Sequence, residues 1–330
     1  MGQGRGIGAS RGASRPIRGE EGRSMTAAHA PTRTAIVFGG SGFLGHAVVQ
    51  ALAARGYNVR VPTRDLGKTL DLKPMGVTGQ VTAFTASVRS DSAVALAIEG
   101  CDVVINLIGT LSEKRKSGYQ TAHVETAARL ARLAREAGVR HFIHVSALGI
   151  DPRARETYVQ TKARGEEAIR TFFPPAVILR PGLMFGPRDR FFNRLSLMAR
   201  YSPILPLFGN GHARLQPVYV GDVAAAIMAA IDNPSAQGGV FDVAGAKTYT
   251  LRELMALVMK TTGRHRLLVP MPNILARALV GVLSLLPAPP LTSDQLGLMN
   301  RDNISRVGSI LPVWGIKPKT LEEILPTYLC

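Results

Sequence analysis

The chain has 330 residues, of which 46% are hydrophobic and 19% are charged; this composition excludes a disordered chain and predicts a globular protein of about two domains, or of one larger α/β unit with an appended subdomain. Its 40 Lys and Arg against 23 Asp and Glu give a net charge of +17, most of it outside the first 24 residues. This charge favours an anionic partner without choosing among a phosphorylated cofactor, an anionic membrane surface, an acidic protein and nucleic acid.

Cysteine and histidine usage indicates neither disulfides nor a metal centre. The two cysteines, Cys101 and Cys330, form no metal-ligand spacing and no disulfide framework, so we expect a reducing, cytoplasmic compartment. The seven histidines are scattered and belong to no zinc motif. We therefore expect no structural metal.

The first 33 residues are rich in Gly, Arg and Ser and contain no apolar segment typical of a secretory signal. Glu20 and Glu21 also weaken a transit-peptide interpretation. We predict that residues 1–33 form a disordered tail. Met25 lies just before the folded pattern begins, which makes it an alternative start of the protein.

Residues 34–56 have the pattern of a strand, a glycine turn and a helix. A β-branched, apolar run at 34–38 is followed by glycines with the spacing G-x-x-G-x-x-G, and then by helical periodicity up to Gly56. Such glycines permit a tight turn, a close approach of backbone to a pyrophosphate, and close packing of helix on strand. We predict that this turn binds a nicotinamide dinucleotide through Gly39, Ser41, Gly42, Phe43, Leu44 and Gly45.

The second strand, at 57–61, ends close to Arg64. In dinucleotide-binding folds the end of this strand contacts the adenosine ribose: an acidic residue there binds the hydroxyls, and an arginine accommodates a 2′-phosphate. Arg64 therefore favours NADP(H), with Lys68 as an additional cation. Because Asp65 follows immediately, NAD(H) and a simple solvated charge at the strand end remain the alternatives.

Strands and helices alternate through the next eighty or so residues. The sequence predicts an apolar strand at 102–109, a helix at 121–137 and another buried strand at 139–145. This order predicts an α/β fold with a doubly wound Rossmann sheet of parallel strands. We assign the NAD(P)-binding Rossmann domain to residues 34–186.

Three residues suited to proton transfer follow. Ser146 ends the last of these strands, and Tyr158 and Lys162 stand four residues apart on one face of a predicted helix. A phenol is a poor acid–base group at neutral pH unless a nearby ammonium stabilises the phenolate, and Lys162 is spaced to do so. We predict these three as the catalytic residues of a hydride-transfer site. A chance Tyr and Lys on an amphipathic helix is the alternative.

Past residue 186 the pattern is less regular. We predict a basic insertion at 187–215 that lines the cleft, the last Rossmann helix and strand at 216–248, and a smaller, substrate-side C-terminal subdomain at 249–330. Residues 250–253 have the sequence of a capping box that begins a helix. The apolar stretch 274–286 is too short to cross a membrane as a helix, at about 20 Å, so it is predicted either to pack in the core or to lie on a membrane surface.

Several of these segments together resemble the atypical or extended short-chain dehydrogenases/reductases of the epimerase/dehydratase type. The similarity lies in the glycine turn, the pair Tyr158 and Lys162, and residues 104–109, 144–146, 180–187 and 216–223. The chain resembles in particular the NADPH-carrying accessory subunits of respiratory complex I and their bacterial relatives. The resemblance implies that Pro181 lies beside the nicotinamide, that Lys162 bonds its ribose, and that Leu107 and Gly109 contact the cofactor.

Two positions depart from the family pattern. Residues 86–88 stand where extended members usually have an Asp that contacts adenine, and the common Asn early in the fourth helix is replaced around His123. The first departure affects the adenine contact, and the second removes a residue that often organises the proton relay.

Three functions follow from these observations. The resemblance favours a nucleotide-carrying structural or assembly factor associated with complex I, peripheral on the inner membrane. The alternative is an active NADP(H)-dependent oxidoreductase or epimerase/dehydratase that uses Ser146, Tyr158 and Lys162. A redox sensor or an RNA-binding protein has only the basic charge in its favour, so nucleic acid is not expected as a partner.

Overall fold

The computed structural model of the chain describes residues 33–111, 118–283 and 293–329, together with residues 1, 2 and 4. The tail predicted at 1–33 and the alternative start at Met25 therefore lie almost entirely outside the described residues. From Thr32 to Cys330 the chain forms one compact unit.

Strands and helices alternate along this unit. The described strands are β1 (Thr34–Phe38), β2 (Asn58–Thr63), β3 (Val81–Thr85), β4 (Val103–Asn106), β5 (His141–Val145), β6 (Val177–Pro181), β7 (Met184–Phe185), β8 (Ile204–Phe208), β9 (Arg214–Leu215), β10 (Val218–Tyr219), β11 (Val240–Val243), β12 (Tyr249–Thr250) and β13 (Leu267–Met271). The described α-helices are α1 (Phe43–Ala54), α2 (Asp91–Ile98), α3 (Thr126–Glu136), α4 (Thr157–Phe172), α5 (Phe191–Tyr201), α6 (Val220–Asp232), α7 (Leu251–Thr261), α8 (Asn273–Leu283), α9 (Ser293–Met299) and α10 (Leu321–Ile324).

Seven of the strands form one parallel sheet in the order β11-β6-β5-β4-β1-β2-β3. Helices α1 and α6 cover one face of the sheet, and α2, α3 and α4 cover the other, each over its own apolar core. The predicted doubly wound Rossmann fold is thereby confirmed. Because the strand order reverses between β1 and β4, a crevice lies at the carboxyl ends of these two strands, where such folds bind their ligands.

The bounds of three strands differ from the predicted ones: β2 spans Asn58–Thr63 rather than 57–61, and the changes in β4 and β5 have local causes. Strand β4 ends at Asn106, because the Asn106 side chain accepts a hydrogen bond from the amide of Ile108 at 3.0 Å and turns the chain away from the sheet. Strand β5 begins only at His141. Before it, the amide of Val139 bonds the carbonyl of Ala134, and Gly138 takes a positive φ of 69°, so these residues still belong to the end of α3.

The helix predicted at 121–137 contains a wider segment that the sequence pattern did not indicate. Residues Gln120–Glu125 form a π-helical segment that leads directly into α3. Its wider turn is fixed by Thr126, whose amide and hydroxyl both donate to the carbonyl of Thr121, the hydroxyl at 2.7 Å. Such segments often occur at functional sites, and this one positions His123.

A second group of elements packs around its own apolar core beyond the sheet edge. Helices α5 and α7 and the short helix α10 share this core with strand β8, which pairs in parallel with β13. Helix α7 begins with the predicted capping box: the Thr250 hydroxyl accepts from the Glu253 amide at 3.2 Å, and the Glu253 carboxylate accepts from the Thr250 amide at 2.6 Å. These elements form the wall beside the carboxyl edge of the sheet.

The apolar stretch predicted at 274–286 is helical through the described part, as α8. Ala276 and Val280 are buried against Leu296 of α9, whereas Ile274 and Leu275 are exposed. Positions 284–286 lie outside the described residues. None of the described helices is both long and apolar enough to span a bilayer.

Candidate functional site

Three glycines of the turn between β1 and α1 have different structural roles. Gly39 has a positive φ of 84°, and a Cβ there would lie 3.1 Å from the carbonyl carbon of Leu107. Gly42 is the N-cap residue of α1 and provides no side chain to cap the helix. A Cβ on Gly45 would lie 2.3 Å from the carbonyl oxygen of Gly40, so only glycine lets the helix pack this closely on the turn.

The start of α1 is consequently suited to an anion. The first amides of an α-helix have no carbonyl partner within the helix and carry the positive end of its dipole. Here these amides belong to the first turn of α1, which begins at Phe43 and continues through Leu44 and Gly45, with Ser41 just before it. The first turn contains no acidic residue that would compete with a phosphate.

The two charged residues after β2 have different environments. Arg64 is exposed, and its guanidinium has no hydrogen bond or ion pair with the described residues. Asp65, in contrast, caps a short 3₁₀ turn by accepting from the Gly67 amide at 3.0 Å, and it lies 3.6 Å from the Lys68 ammonium. The carboxylate that would bind ribose hydroxyls is therefore occupied within its own turn, whereas the arginine is free to bind an anion.

The other predicted cofactor residues lie at the carboxyl ends of β4, β5 and β6. Leu107 follows β4 and touches Gly39 through its backbone. A Cβ on Gly109 would lie 3.4 Å from the Nζ of Lys162, so the ammonium lies against this loop. Pro181 ends β6, is buried, and accepts a hydrogen bond from the Leu148 amide at 2.9 Å.

Lys162 occupies the centre of this edge. It is only 5% exposed, and its ammonium donates to the carbonyl of Val145 at 3.1 Å. Burial lowers the pKa of Lys162 to about 8, while the carboxylate of Glu166 acts in the opposite direction. Glu166 is in turn held by two hydrogen bonds from Arg180, at 2.9 and 2.6 Å.

Ser146 and Tyr158 lie beside Lys162 in the fold, but the electrostatic effect predicted for the pair is not found. We expected the ammonium of Lys162 to stabilise the phenolate of Tyr158. Instead, burial raises the pKa of Tyr158 to about 12, and Lys162 donates to the backbone of β5. The hydroxyl oxygen of Ser146 is buried and has no hydrogen-bond partner among the described residues.

His123 is the residue at this site that the sequence analysis noted only as a departure from the family pattern. Its Nε2 accepts from the Thr110 amide at 3.2 Å, so the proton lies on Nδ1, which donates to the Thr161 hydroxyl at 3.0 Å. The ring stacks on Tyr119 at a centroid distance of 5.4 Å and meets the ring of Tyr158 edge-on at 5.3 Å. Burial, with a smaller effect of the nearby Lys162 charge, lowers the pKa of His123 to about 3.

A second buried histidine lies below Ser146 on β5. The amide oxygen of Asn106 is used by Ile108, so its nitrogen donates to the Nδ1 of His144 at 3.1 Å. The ring proton of His144 must then be on Nε2, which is buried without a partner among the described residues. Burial lowers the pKa of His144 well below its usual value, so both histidines of the site are neutral. No group of three or more His, Cys, Asp or Glu suited to a metal ion occurs within the described ranges.

Comparison with known proteins gives consistent matches. The model of the NAD dependent epimerase/dehydratase family matches residues 35–244. The mitochondrial NADH dehydrogenase [ubiquinone] 1 alpha subcomplex subunit 9 of Rattus norvegicus is 35% identical over 294 residues, which cover 87% of this chain and 77% of the subunit. A ceramide reductase of Caulobacter vibrioides is 29% identical over 72% of this chain and 73% of its own length.

Solved structures agree on the fold. The dTDP-glucose 4,6-dehydratase of Streptomyces venezuelae, solved with NAD bound, has a TM-score of 0.69 and 18% sequence identity, and the match covers 90% of this chain and 95% of that one. At this identity the likeness establishes the fold alone.

Replacing His123 with Gln is expected to reduce the pH dependence of stability. The folded-state pKa of about 3 is below the ordinary value of 6.5, so between these two values the unfolded chain binds more protons than the folded one. The contribution of His123 to the free energy of unfolding is constant above about pH 6.5. Below this pH it falls, by at most about 1.4 kcal/mol per pH unit, because the unfolded chain takes up the proton. The free energy of unfolding in urea, measured across the weakly acidic range, tests this.

The matched control is His265→Gln, because His265 is exposed and lies on the loop before β13. The control should retain the pH dependence of the wild-type protein. If His123→Gln also retains it, the assignment of a buried, neutral imidazole at this position is wrong.

Proposed function

The chain belongs to the NAD dependent epimerase/dehydratase family, and from this premise we propose that it is a nucleotide-carrying structural or assembly factor of respiratory complex I, held at the membrane. Its similarity to a complex I subunit over most of both chains supports the association. The geometry of the site supports the carrier role.

The glycine turn at the start of α1 is the observation within the fold that favours a nucleotide carrier most. The three glycines and the open start of α1 fit a pyrophosphate. An effective acid–base catalyst has a pKa near the working pH, whereas burial raises the pKa of Tyr158 to about 12. This arrangement suits retention of a nucleotide better than turnover.

A nicotinamide dinucleotide fits the crevice, as expected for the family. In this proposal the turn from Gly39 to Gly45 holds the pyrophosphate. Lys162, Leu107, Gly109 and Pro181 hold the nicotinamide half at the ends of β4, β5 and β6. The buried Lys162 ammonium, with one backbone acceptor, has donors left for ribose hydroxyls.

We further propose that the nucleotide is NADP(H). Arg64 is exposed and unpaired within the described part of the chain, while Asp65 is engaged by Gly67 and Lys68. An unpaired guanidinium at this strand end fits a 2′-phosphate, to which it can donate two parallel hydrogen bonds.

An active NADP(H)-dependent oxidoreductase or epimerase/dehydratase is the second candidate. It is favoured by the position of Ser146, Tyr158 and Lys162 at one edge of the sheet, and by the similarity to a reductase. In this function the Ser146 hydroxyl would orient a substrate carbonyl and the Tyr158 phenol would deliver the proton to its oxygen. The nicotinamide, when bound, would supply the hydride.

The charge distribution supports the membrane association. No Asp or Glu occurs at 190–221 or at 254–293, although these two segments contain eight Lys and Arg. Helices α5 and α7 and strands β8 and β13 bring the two segments together. The two segments therefore contribute cations and no carboxylates of their own to one face of the protein, which suits an anionic lipid surface.

Apolar side chains protrude on this same face. Ile204 and Leu267 are register partners on β8 and β13 and are 51% and 69% exposed. Exposed apolar residues continue on the end of α5 and the start of α8; they are Leu197, Met198, Tyr201, Ile274 and Leu275. We call this set the acid-free face. Exposed apolar groups next to cations are the features of a protein that lies on a bilayer without spanning it.

Changing Arg64 to Asp is expected to weaken NADPH binding by about tenfold or more and NADH binding much less. A charge-assisted phosphate contact is replaced by repulsion in NADPH only. Isothermal titration with both nucleotides measures the two ratios. Arg252→Asp on the exposed side of α7 makes the same charge change away from the crevice and should affect neither nucleotide. Equal losses for NADPH and NADH would remove Arg64 as the phosphate contact.

Tyr158→Phe and Lys162→Met separate a carrier from an enzyme. In a carrier, Tyr158→Phe leaves nucleotide affinity and assembly unchanged, because no proton is transferred. In an enzyme, the same change lowers turnover of carbonyl substrates by about 10²-fold or more. Lys162→Met keeps the buried apolar stem and removes the ammonium, so it should weaken the nucleotide in either case.

Nucleotide affinity and NADPH oxidation with carbonyl substrates are measured on the same preparations. Wild-type affinity in Lys162→Met would contradict the placement of Lys162 against the cofactor. Turnover that disappears in Tyr158→Phe would replace the carrier function with the second candidate.

The double change Ile204→Glu and Leu267→Glu is expected to reduce binding to vesicles that contain anionic phospholipid by about tenfold or more. Each change removes one apolar side chain from the acid-free face and adds a negative charge, and burying such a side chain contributes about 1.5–3 kcal/mol. Cosedimentation with the vesicles measures the effect.

Leu96→Glu together with Val307→Glu is the matched control, because both residues are exposed apolar groups outside the acid-free face. The control should bind vesicles like the wild type. Equal binding by all three proteins would show that the acid-free face does not contact lipid.

A further inference from the structure

Two loops meet beside the first turn of α1. One charged side chain from each loop and a histidine of α1 form the contact. His46 in α1 donates from Nδ1 to the carbonyl of Gly42 at 2.7 Å, and its Nε2 lies 3.1 Å from the carboxylate of Asp71. Asp71 belongs to the loop after β2, on the adenosine side of the crevice. The guanidinium of Arg188, from the loop after β7, donates to the same carboxylate oxygen at 2.5 Å. We call His46, Asp71 and Arg188 the clasp.

The loop that carries Arg188 is held in a strained conformation. Arg188 has a φ of 76° and is the one non-glycine residue with a positive φ within the described ranges. Its neighbour Asp189 is buried, accepts from the Phe192 amide at 2.6 Å and is bonded by the Tyr328 hydroxyl at 2.6 Å. Because Asp189 is fixed from two sides, the backbone at Arg188 cannot relax, and its side chain is directed to Asp71.

The position of the clasp connects it to the nucleotide site. Gly186, two residues before Arg188, lies against the Phe43 ring, since a Cβ there would be 3.7 Å from Phe43 Cζ. Gly42 and Phe43 begin the helix whose free amides fit the pyrophosphate. The clasp therefore joins the loop after β2 to the loop after β7 at the end of α1 where the nucleotide would lie.

Asp71 places a negative charge near the candidate phosphate site. A carboxylate near an anion-binding helix start repels a dinucleotide and by itself lowers its affinity. The hydrogen bond from Arg188 holds the pKa of Asp71 below its usual value, so the carboxylate is charged. The acid is thus retained in its charged form beside a site for phosphates.

We propose that the clasp of His46, Asp71 and Arg188 retains the bound nucleotide, because the loops after β2 and β7 have to separate before the nucleotide leaves. The inference rests on the proposed nucleotide-carrying function and adds to it the residues that set the release rate. The contact is an exposed ion pair, so its loss is expected to change the rate moderately, by about two- to fivefold.

Asp71→Asn distinguishes retention by the clasp from simple electrostatics, because the two predict opposite changes in the release rate of the nucleotide. Removing a negative charge near the phosphates would by itself slow the release of an anion. Opening the clasp would accelerate it. The measurement is the release rate of NADPH from the full-length protein, followed by the loss of its fluorescence after mixing with excess NADP⁺.

Two further variants complete the experiment. Arg188→Ala should accelerate release by at least the same factor as Asp71→Asn, because it also removes a cation near the phosphates, and the double variant should be no faster than Arg188→Ala, because both changes open the same contact. Arg190→Ala is the matched control: it removes the same charge two residues away, from an exposed side chain with no polar partner in the described ranges. It should release NADPH at the wild-type rate.

The outcomes separate the clasp from the carrier function. Faster release in Asp71→Asn and Arg188→Ala, with a wild-type rate in Arg190→Ala, supports the clasp. Slower or unchanged release in Asp71→Asn overturns the clasp and leaves the carrier function intact. A wild-type protein that binds no NADPH overturns both. Melting temperatures of the variants identify any rate change that comes from a loss of folding.

Discussion

The positive charge of a buried ammonium needs hydrogen-bond acceptors or a negative charge nearby. At the candidate site the buried ammonium is that of Lys162, and the groups around it meet this need. The carbonyl of Val145 accepts from it, and the carboxylate of Glu166, itself held by Arg180, offsets part of the cost of burial. The Lys162 charge also adds to the lowering of the pKa values of His123 and His144. Both histidines are consequently neutral and act as fixed hydrogen-bonding groups. Hydrogen bonds between buried groups thus connect the edge of β5, the π-helical segment and α4, which suits holding a nucleotide.

The features that follow from local sequence patterns were predictable. Glycine spacing predicts the turn at the end of β1, and apolar periodicity predicts the sheet and most of its helices. The capping box at 250–253 is a signal of the same local kind.

The parts that were not predictable depend on side chains that meet across the fold. The π-helical segment depends on a hydroxyl that bonds five residues back, and the tautomer of His123 depends on Thr110 and Thr161. The pKa of Tyr158 illustrates the limit. Spacing alone places Lys162 on the same helical face, but the burial that raises the phenol pKa and directs the ammonium to a carbonyl depends on packing. Nothing in the sequence around Asp71 indicated its contact with Arg188.

The most direct test of the account combines the two partners that it assigns to this protein, complex I and NADP(H). Complex I is isolated in mild detergent from membranes of the source organism, and mass spectrometry identifies its protein chains and the nucleotide released on denaturation. We expect this chain in the complex I fraction together with a stoichiometric amount of NADP(H). If the chain instead elutes apart from complex I and without nucleotide, the proposed function is wrong.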